Sequence, residues 1–288
     1  IVHIMDLYLV PVIAVVGILG NIVSFMVFVA TYLKHMSSSV YLAGLAVSDS
    51  VFLFVVLISW SNNIGNRTYH QHGWCHLFVY LAYVSSFLSV WFVVCFTVER
   101  HIAVCFPLRR QKWCTACRAR VLVVSISGLA LMLYMFALWM TEVIDYYGGP
   151  FCSVKPKYYQ VVAAINIADT LSTLILPTVV ITVYHPTRSL SVYGRYVQSS
   201  SYNRLQMKVT KMLLIISTAF LICNIPSHVI RVYAFSMSLI DPAYTPSHRF
   251  VLVQKLMQFV YYCNFSINFI LYNLSGKAFR RAMFRLFR

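Results

Sequence analysis

An all-α membrane fold is what this sequence predicts: a seven-transmembrane helix bundle followed by an amphipathic helix on the membrane surface. Of the 288 residues, 60% are hydrophobic and only 10% are Asp, Glu, Lys or Arg, whereas average soluble domains carry about 25% charged residues. Apolar runs recur with polar breaks between them, near 6–33, 39–62, 73–104, 119–140, 159–185, 206–238 and 250–274. Each meets the roughly 20 residues that a helix needs to cross the hydrocarbon core, and the longer ones imply tilt or protruding ends. The chain reads as one domain, 1–288. A net charge of +16 would suit a nucleic-acid binder, but so apolar a chain excludes that class.

The first run opens almost at once, at Asp6. It either serves as its own insertion signal or follows an N-terminal tail. The third run begins near Cys75 and ends on Glu99-Arg100-His101. From 75 to 100 a helix rises roughly 38 Å, enough to cross a core about 30 Å thick. One helix thus joins a cysteine at one face to an acid–base pair at the other. After the seventh run, Ser275–Phe287 sets Phe279, Met283, Phe284 and Phe287 on one side, with Lys277, Arg280, Arg281 and Arg285 between them. That pattern suits a helix lying on anionic lipid.

Seven spans place the termini on opposite sides. The Lys and Arg residues divide 17 to 6 between the two sets of span ends, Arg100 and Lys277 belonging to the larger set and Arg67 and Lys155 to the smaller. The larger set is expected to be cytoplasmic, which puts the N-terminus outside, at the plasma membrane. Cys75 and Cys152 then share an oxidising compartment, where a disulfide is plausible. Asn66-Arg67-Thr68 is a glycosylation acceptor on the same side. The Cys114–Cys117 pair lacks a second ligand pair for zinc.

Charged and polar residues inside apolar spans are costly and mark function. Asp49 lies in mid-span, with Asn21, Ser89, Asn264, Ser266 and Asn268 at similar depth. They can enclose water or Na⁺ at Asp49, or simply bond helix to helix. Nearer the outer ends lie Trp60, Tyr83, Ser86, Asn166, Asp169, His228, Arg231, Gln258 and Tyr262. Asp169 and Arg231 either face a ligand cavity or pair with each other. Pro177 and Pro226 interrupt spans 5 and 6 and act as bends or pivots.

In order and spacing these residues resemble the rhodopsin-like (class A) G-protein-coupled receptors over nearly the whole chain. The resemblance rests on Gly20-Asn21, on Leu45-Ala46-Val47-Ser48-Asp49, on Cys75 and Cys152, on Glu99-Arg100-His101 with Pro107, on Phe220, Cys223 and Pro226, and on Asn268 to Tyr272. It implies a Cys75–Cys152 disulfide. It implies a switch made of Glu99, Arg100, Pro107, Leu108, Phe220, Asn224, Pro226, Asn268 and Tyr272, and a heterotrimeric G protein and arrestin as cytoplasmic partners. The departures from the family pattern are Asn224 for its tryptophan, Phe269 for its proline, His101 for its tyrosine and Gln206 for the acid of span 6. Arg100 is therefore expected to rely on Glu99 alone, with raised basal activity.

The amine receptors' aspartate would fall at Ala82 and the opsin lysine at Tyr262, so neither class is expected. The outer polar set and the run Val98–Leu108 look similar to invertebrate neuropeptide receptors of the FMRFamide, CNMamide or thyrotropin-releasing-hormone-like groups. The expected ligand is an extracellular peptide; the alternatives are a lipid or other small molecule in the same fold, or an ion-conducting or transport protein. The sequence has no HExxH, GxSxG or phosphate loop, so no enzyme is expected.

Overall fold

A computed structural model describes residues 5–146, 149–183, 201–240 and 246–287; within these, the side chains of residues 104, 107, 108, 111, 146, 201–214, 235, 238–240 and 275 are excepted. Pro107 and Leu108 of the expected switch, and Gln206 among the departures from the family pattern, thus have described backbone only.

Span 1 is a π-helical turn, Met5–Leu9, running into Val10–Ala30. Span 2 is Ser37–Ser61 and span 3 Trp74–Cys105. A short helix, Pro107–Trp113, follows, and its proline suits the first turn, where an amide has no helical partner anyway. Span 4, Ala116–Leu133, starts on Thr115, whose hydroxyl accepts from the Arg118 amide at 3.4 Å. A helical turn, Ala137–Met140, leads on to strand β1, Thr141–Tyr146. Span 5 runs Tyr159–Thr170, then a π turn Leu171–Ile175, then Leu176–Val183. The irregular turn sits just ahead of Pro177, whose missing amide and ring disrupt regular helix there. Span 6 is Ser201–Ile240 and continues through Pro226.

Among the described residues, six helices are long and apolar enough to cross a membrane by length and composition. Span 7 is divided, His248–Ser266 and Asn268–Ser275, and its first half carries Arg249 and Lys255. The break at Ile267 forms although Phe269 stands where a proline was expected. Span 1 packs into it through two glycines. A Cβ on Gly17 would lie 2.6 Å from the Ser266 Cβ, and one on Gly20 would lie 2.9 Å from the Phe269 Cβ. Only glycine permits that approach.

The long connection between spans 4 and 5 is more than a loop. Strand β1 pairs antiparallel with β2, Gly149–Val154, with Val143 opposite Cys152. The disulfide Cys75–Cys152 ties this hairpin to the start of span 3, Cα to Cα 5.6 Å. The β-branched residues Thr141, Val143 and Ile144 ahead of the Gly148-Gly149 pair were the available strand signal.

The final helix is Lys277–Leu286. Its expected apolar side is divided between two neighbours. Phe279 is buried against Phe28 and Tyr272, with ring centres 5.3 and 5.5 Å away, and Met283 packs on the same core. Phe284 and Phe287 remain exposed. Phe279 and Met283, half of the apolar set, therefore lock the helix to the bundle.

Candidate functional site

At the Cys75 end, a cavity of about 400 Å³ opens between the spans. Span 2 lines it with Phe52, Val55, Val56 and Ser59, residues that share one helical face. Tyr83, Ser86, Asn166, Asp169, Arg231, Gln258 and Tyr262 all line the same space. The Tyr83 hydroxyl donates to Asn166 Oδ1 at 2.8 Å, and Gln258 Nε2 donates to the Tyr262 hydroxyl at 2.7 Å.

Asp169 and Arg231 do not pair. Among the described residues the ion pairs are Glu99–Arg100 and Asp6–Lys255. Asp169 accepts instead from the Tyr134 hydroxyl of the turn after span 4. The Arg231 guanidinium lies 5.8 Å from the Tyr261 ring centre, a cation–π distance, and the residue lines the cavity.

A second cavity of about 430 Å³ adjoins the first and shares Val56, Ser59, Tyr69, Gln258 and Tyr262 with it. Asp6 and Lys255 stand in its wall, with His70, Phe151 and Cys152 of the loop region. His70 is buried beside Phe151, and its Nδ1 accepts from the Cys152 amide at 2.9 Å. Burial, and then the nearby Arg67 charge, hold the imidazole below its usual pKa and therefore neutral.

Deeper in the bundle, Asp49 is fully buried. Ser89 Oγ donates to its Oδ1 at 2.6 Å and Asn268 Nδ2 to its Oδ2 at 2.7 Å. Asn268 also reaches the Asn264 carbonyl at 3.4 Å. Asn21 bonds the Phe265 carbonyl at 2.9 Å. The polar set is thus an interhelical brace across spans 1, 2, 3 and 7.

At the far end, Glu99 and Arg100 are both buried and meet at 3.3 Å. Glu99 has two further donors, the hydroxyls of Ser37 at 2.8 Å and Ser38 at 3.1 Å. Arg100 lies 5.7 Å from the Phe96 ring centre. Phe220 and Tyr272 are buried in the same core.

A disulfide-tied hairpin over an open cavity, a buried carboxylate brace and a buried Glu–Arg pair thus occupy successive levels of one helical bundle. The family model described as "7 transmembrane receptor (rhodopsin family)" matches residues 20–272. The chain belongs to the rhodopsin family of seven-transmembrane receptors. The receptor is 25% identical to the neuromedin U receptor homolog nmur-2 of Caenorhabditis elegans over 304 residues, which cover 93% of this chain and 75% of that one. It is 25% identical to the Homo sapiens growth hormone secretagogue receptor type 1 over 292 residues, 94% and 77% of the two chains. It is 25% identical to the Homo sapiens B1 bradykinin receptor over 281 residues, 94% and 79%. The family is one of signalling receptors, not enzymes.

Two expected cavity residues of the receptor stand elsewhere. Trp60 stands at the edge of the Phe52–Ser59 face, and its Nε1 donates to the Leu7 carbonyl of span 1 at 3.1 Å. It lines the second cavity. His228 is buried beneath Tyr261, ring centres 6.0 Å apart, and is not among the lining residues. Asn224, at the position of the family tryptophan, is fully buried and donates to the Phe220 carbonyl at 2.7 Å. Residues not anticipated as part of the site are Tyr69, Tyr134 and Tyr261 around the cavities and Ser37 and Ser38 at Glu99. Tyrosines and serines are common on helix faces, and only their spatial partners distinguish these. Asn66 is exposed, and its side chain accepts from the Thr68 amide at 3.2 Å.

Proposed function

We propose that this receptor binds an extracellular peptide in the two adjoining cavities and signals to a heterotrimeric G protein at the Glu99 end. The observation behind this reading is that Asp169 and Arg231 line one cavity without forming a direct ion pair. A charged, partly amide-lined groove suits a peptide backbone and its charged groups better than a lipid tail. Arg231 receives an anionic or carbonyl group of the ligand, while Asp6 and Lys255 bound the other end. Relatives named as receptors for neuromedin U and bradykinin support the peptide class.

The Cys75 end faces outward and the Lys- and Arg-rich end faces the cytoplasm. The disulfide and the charge asymmetry support this orientation. Ligand binding then favours a state in which span 6 swings about Pro226 and Arg100 leaves Glu99. It does so only by its differential affinity for the two states. Exposed Phe284 and Phe287 beside Arg281 and Arg285 suit anionic lipid, and arrestin would meet the same basic face. Na⁺ is a further expectation at Asp49. The oxygen donors of Asp49, Ser89 and Asn268 suit it chemically, but both carboxylate oxygens are already engaged, so the ion must displace one of these bonds.

The test is second-messenger readout in cells expressing the receptor, challenged with a library of amidated neuropeptides. A peptide should evoke a signal that Arg231→Ala weakens. Peptide-evoked signalling indifferent to both Arg231→Ala and Asp169→Ala would sink the reading.

A further inference from the structure

Two histidines stand at the Cys75 end of span 3, outside the lining of both cavities. His72 is exposed and His76 is half-buried one turn further on. The Cys75 amide donates to the Gln71 carbonyl at 3.0 Å and the Leu77 amide to the Gly73 carbonyl at 3.1 Å. Gly73, between the two histidines, has φ 85°, so it is this turn, and not helical spacing, that brings the two side chains together. The two imidazole centres are 5.1 Å apart. His76 Nδ1 is buried and has no hydrogen-bond partner. A buried polar nitrogen left in that condition calls for a water or an ion.

The spacing admits an ion. A zinc ion about 2.0–2.1 Å from a ring nitrogen lies roughly 3.2 Å from the ring centre, so two imidazoles at a tetrahedral angle have centres roughly 5.2 Å apart. The observed separation agrees. The rings now stand at 87° to one another, and exposed His72 can turn its nitrogen toward that of His76 by side-chain rotation alone. Imidazole donors select zinc or copper over magnesium and calcium, which take oxygen. Lys155, a cation that acts on the His76 ring, has its ammonium bound to the Trp139 carbonyl at 2.6 Å. Among the described residues no group of three or more His, Cys, Asp or Glu gathers for a metal.

We propose that His72 and His76 form an open, two-imidazole Zn²⁺ site at the head of span 3, with water completing the coordination. The ion would fasten the turn at 71–73 to the span one residue from Cys75. That is where the disulfide holds the hairpin that borders the second cavity. Zinc in the surrounding fluid would thereby stiffen the rim of the ligand site. With two protein ligands the site exchanges its ion readily, which suits modulation more than structural support.

The experiment uses the purified receptor in lipid nanodiscs, where both faces are accessible and neither peptide nor G protein is needed. ZnCl₂ is titrated by calorimetry, with MgCl₂ and CaCl₂ as controls, and the thermal midpoint is followed alongside. About one Zn²⁺ per chain should bind and raise the midpoint, with no response to Mg²⁺ or Ca²⁺. His72→Ala, on an exposed side chain, and His76→Ala should each weaken binding by roughly tenfold or more. The exposed His35→Ala should bind as the unaltered chain does. Absence of saturable Zn²⁺ binding, or binding unchanged in His72→Ala, overturns the proposal. Either result leaves the peptide reading intact.

Discussion

The two ends of span 3 treat buried polar groups in opposite ways. At the Cys75 end, tyrosines, amides and charges border open space: Tyr83, Asn166, Gln258 and Tyr262 bond in pairs around a cavity, and Arg231 lies against the Tyr261 ring with no direct ion pair among the described residues. At the Glu99 end the Glu99 and Arg100 side chains are buried and meet directly. Glu99 takes donors from Ser37, Ser38 and Arg100, and an aromatic cluster of Phe28, Tyr272 and Phe279 packs beneath the final helix. A closed polar group resists change because opening it strands a buried charge. An open one invites a ligand. The receptor therefore combines a site built to receive with a lock built to be released.

The most disruptive way to break this contrast is to remove the disulfide. Cys152→Ser frees the hairpin from span 3 and should cost about 2–5 kcal/mol. Surface abundance and thermal midpoint should both fall, and ligand binding should be lost first. Next is the brace between the two ends. Asp49→Ala strands the Ser89 and Asn268 donors, at about 1–3 kcal/mol for each. Asp49→Asn, which keeps an acceptor, should lose less in a thermal-shift assay.

The lock itself is tested by Ser37→Ala with Ser38→Ala. Each removed hydroxyl takes about 1.5–3 kcal/mol from the charged Glu99. Basal second-messenger signalling should rise several-fold; an unchanged basal signal would place the lock elsewhere. At the open end, Tyr134→Phe releases Asp169 into the cavity. Peptide potency should change by a few-fold, about 1 kcal/mol, with surface abundance preserved.

The smallest effect concerns pH. His70 is held neutral in the fold, below the unfolded value of about 6.5. The unfolded chain binds the extra proton, so this contribution is full above about pH 6.5 and fades as pH falls from there through the lower folded value. Acidification should lower the thermal midpoint of the native receptor more than that of His70→Asn, whose amide oxygen can still accept from Cys152.

Much of this was legible in one dimension. Apolar run length set the spans, because a bilayer demands a continuous stretch of helix. Asp49, Glu99 and Arg100 stood out because charge inside such a run is expensive. His228 was misplaced for a geometric reason, and Trp60 belongs to the second cavity and not the first. Depth along a helix follows from residue count, but facing depends on 100° per residue and on neighbouring spans. Trp60 bonds the Leu7 carbonyl and lines the adjoining cavity, and His228 packs on Tyr261 outside the first cavity's lining.

The amino-acid sequence by itself determined that this chain crosses a membrane as a helical bundle, where its polar residues lie in depth, and which family it resembles. Each of these depends on local composition and spacing. Tertiary structure alone decided that Asp169 goes to Tyr134 and leaves Arg231 unpaired, that Ser37 and Ser38 hold Glu99, and that the connection after span 4 is a hairpin pinned by Cys152. Those partners are distant in the chain, and hydrogen bonds are satisfied by whatever the packing of neighbouring spans brings within reach.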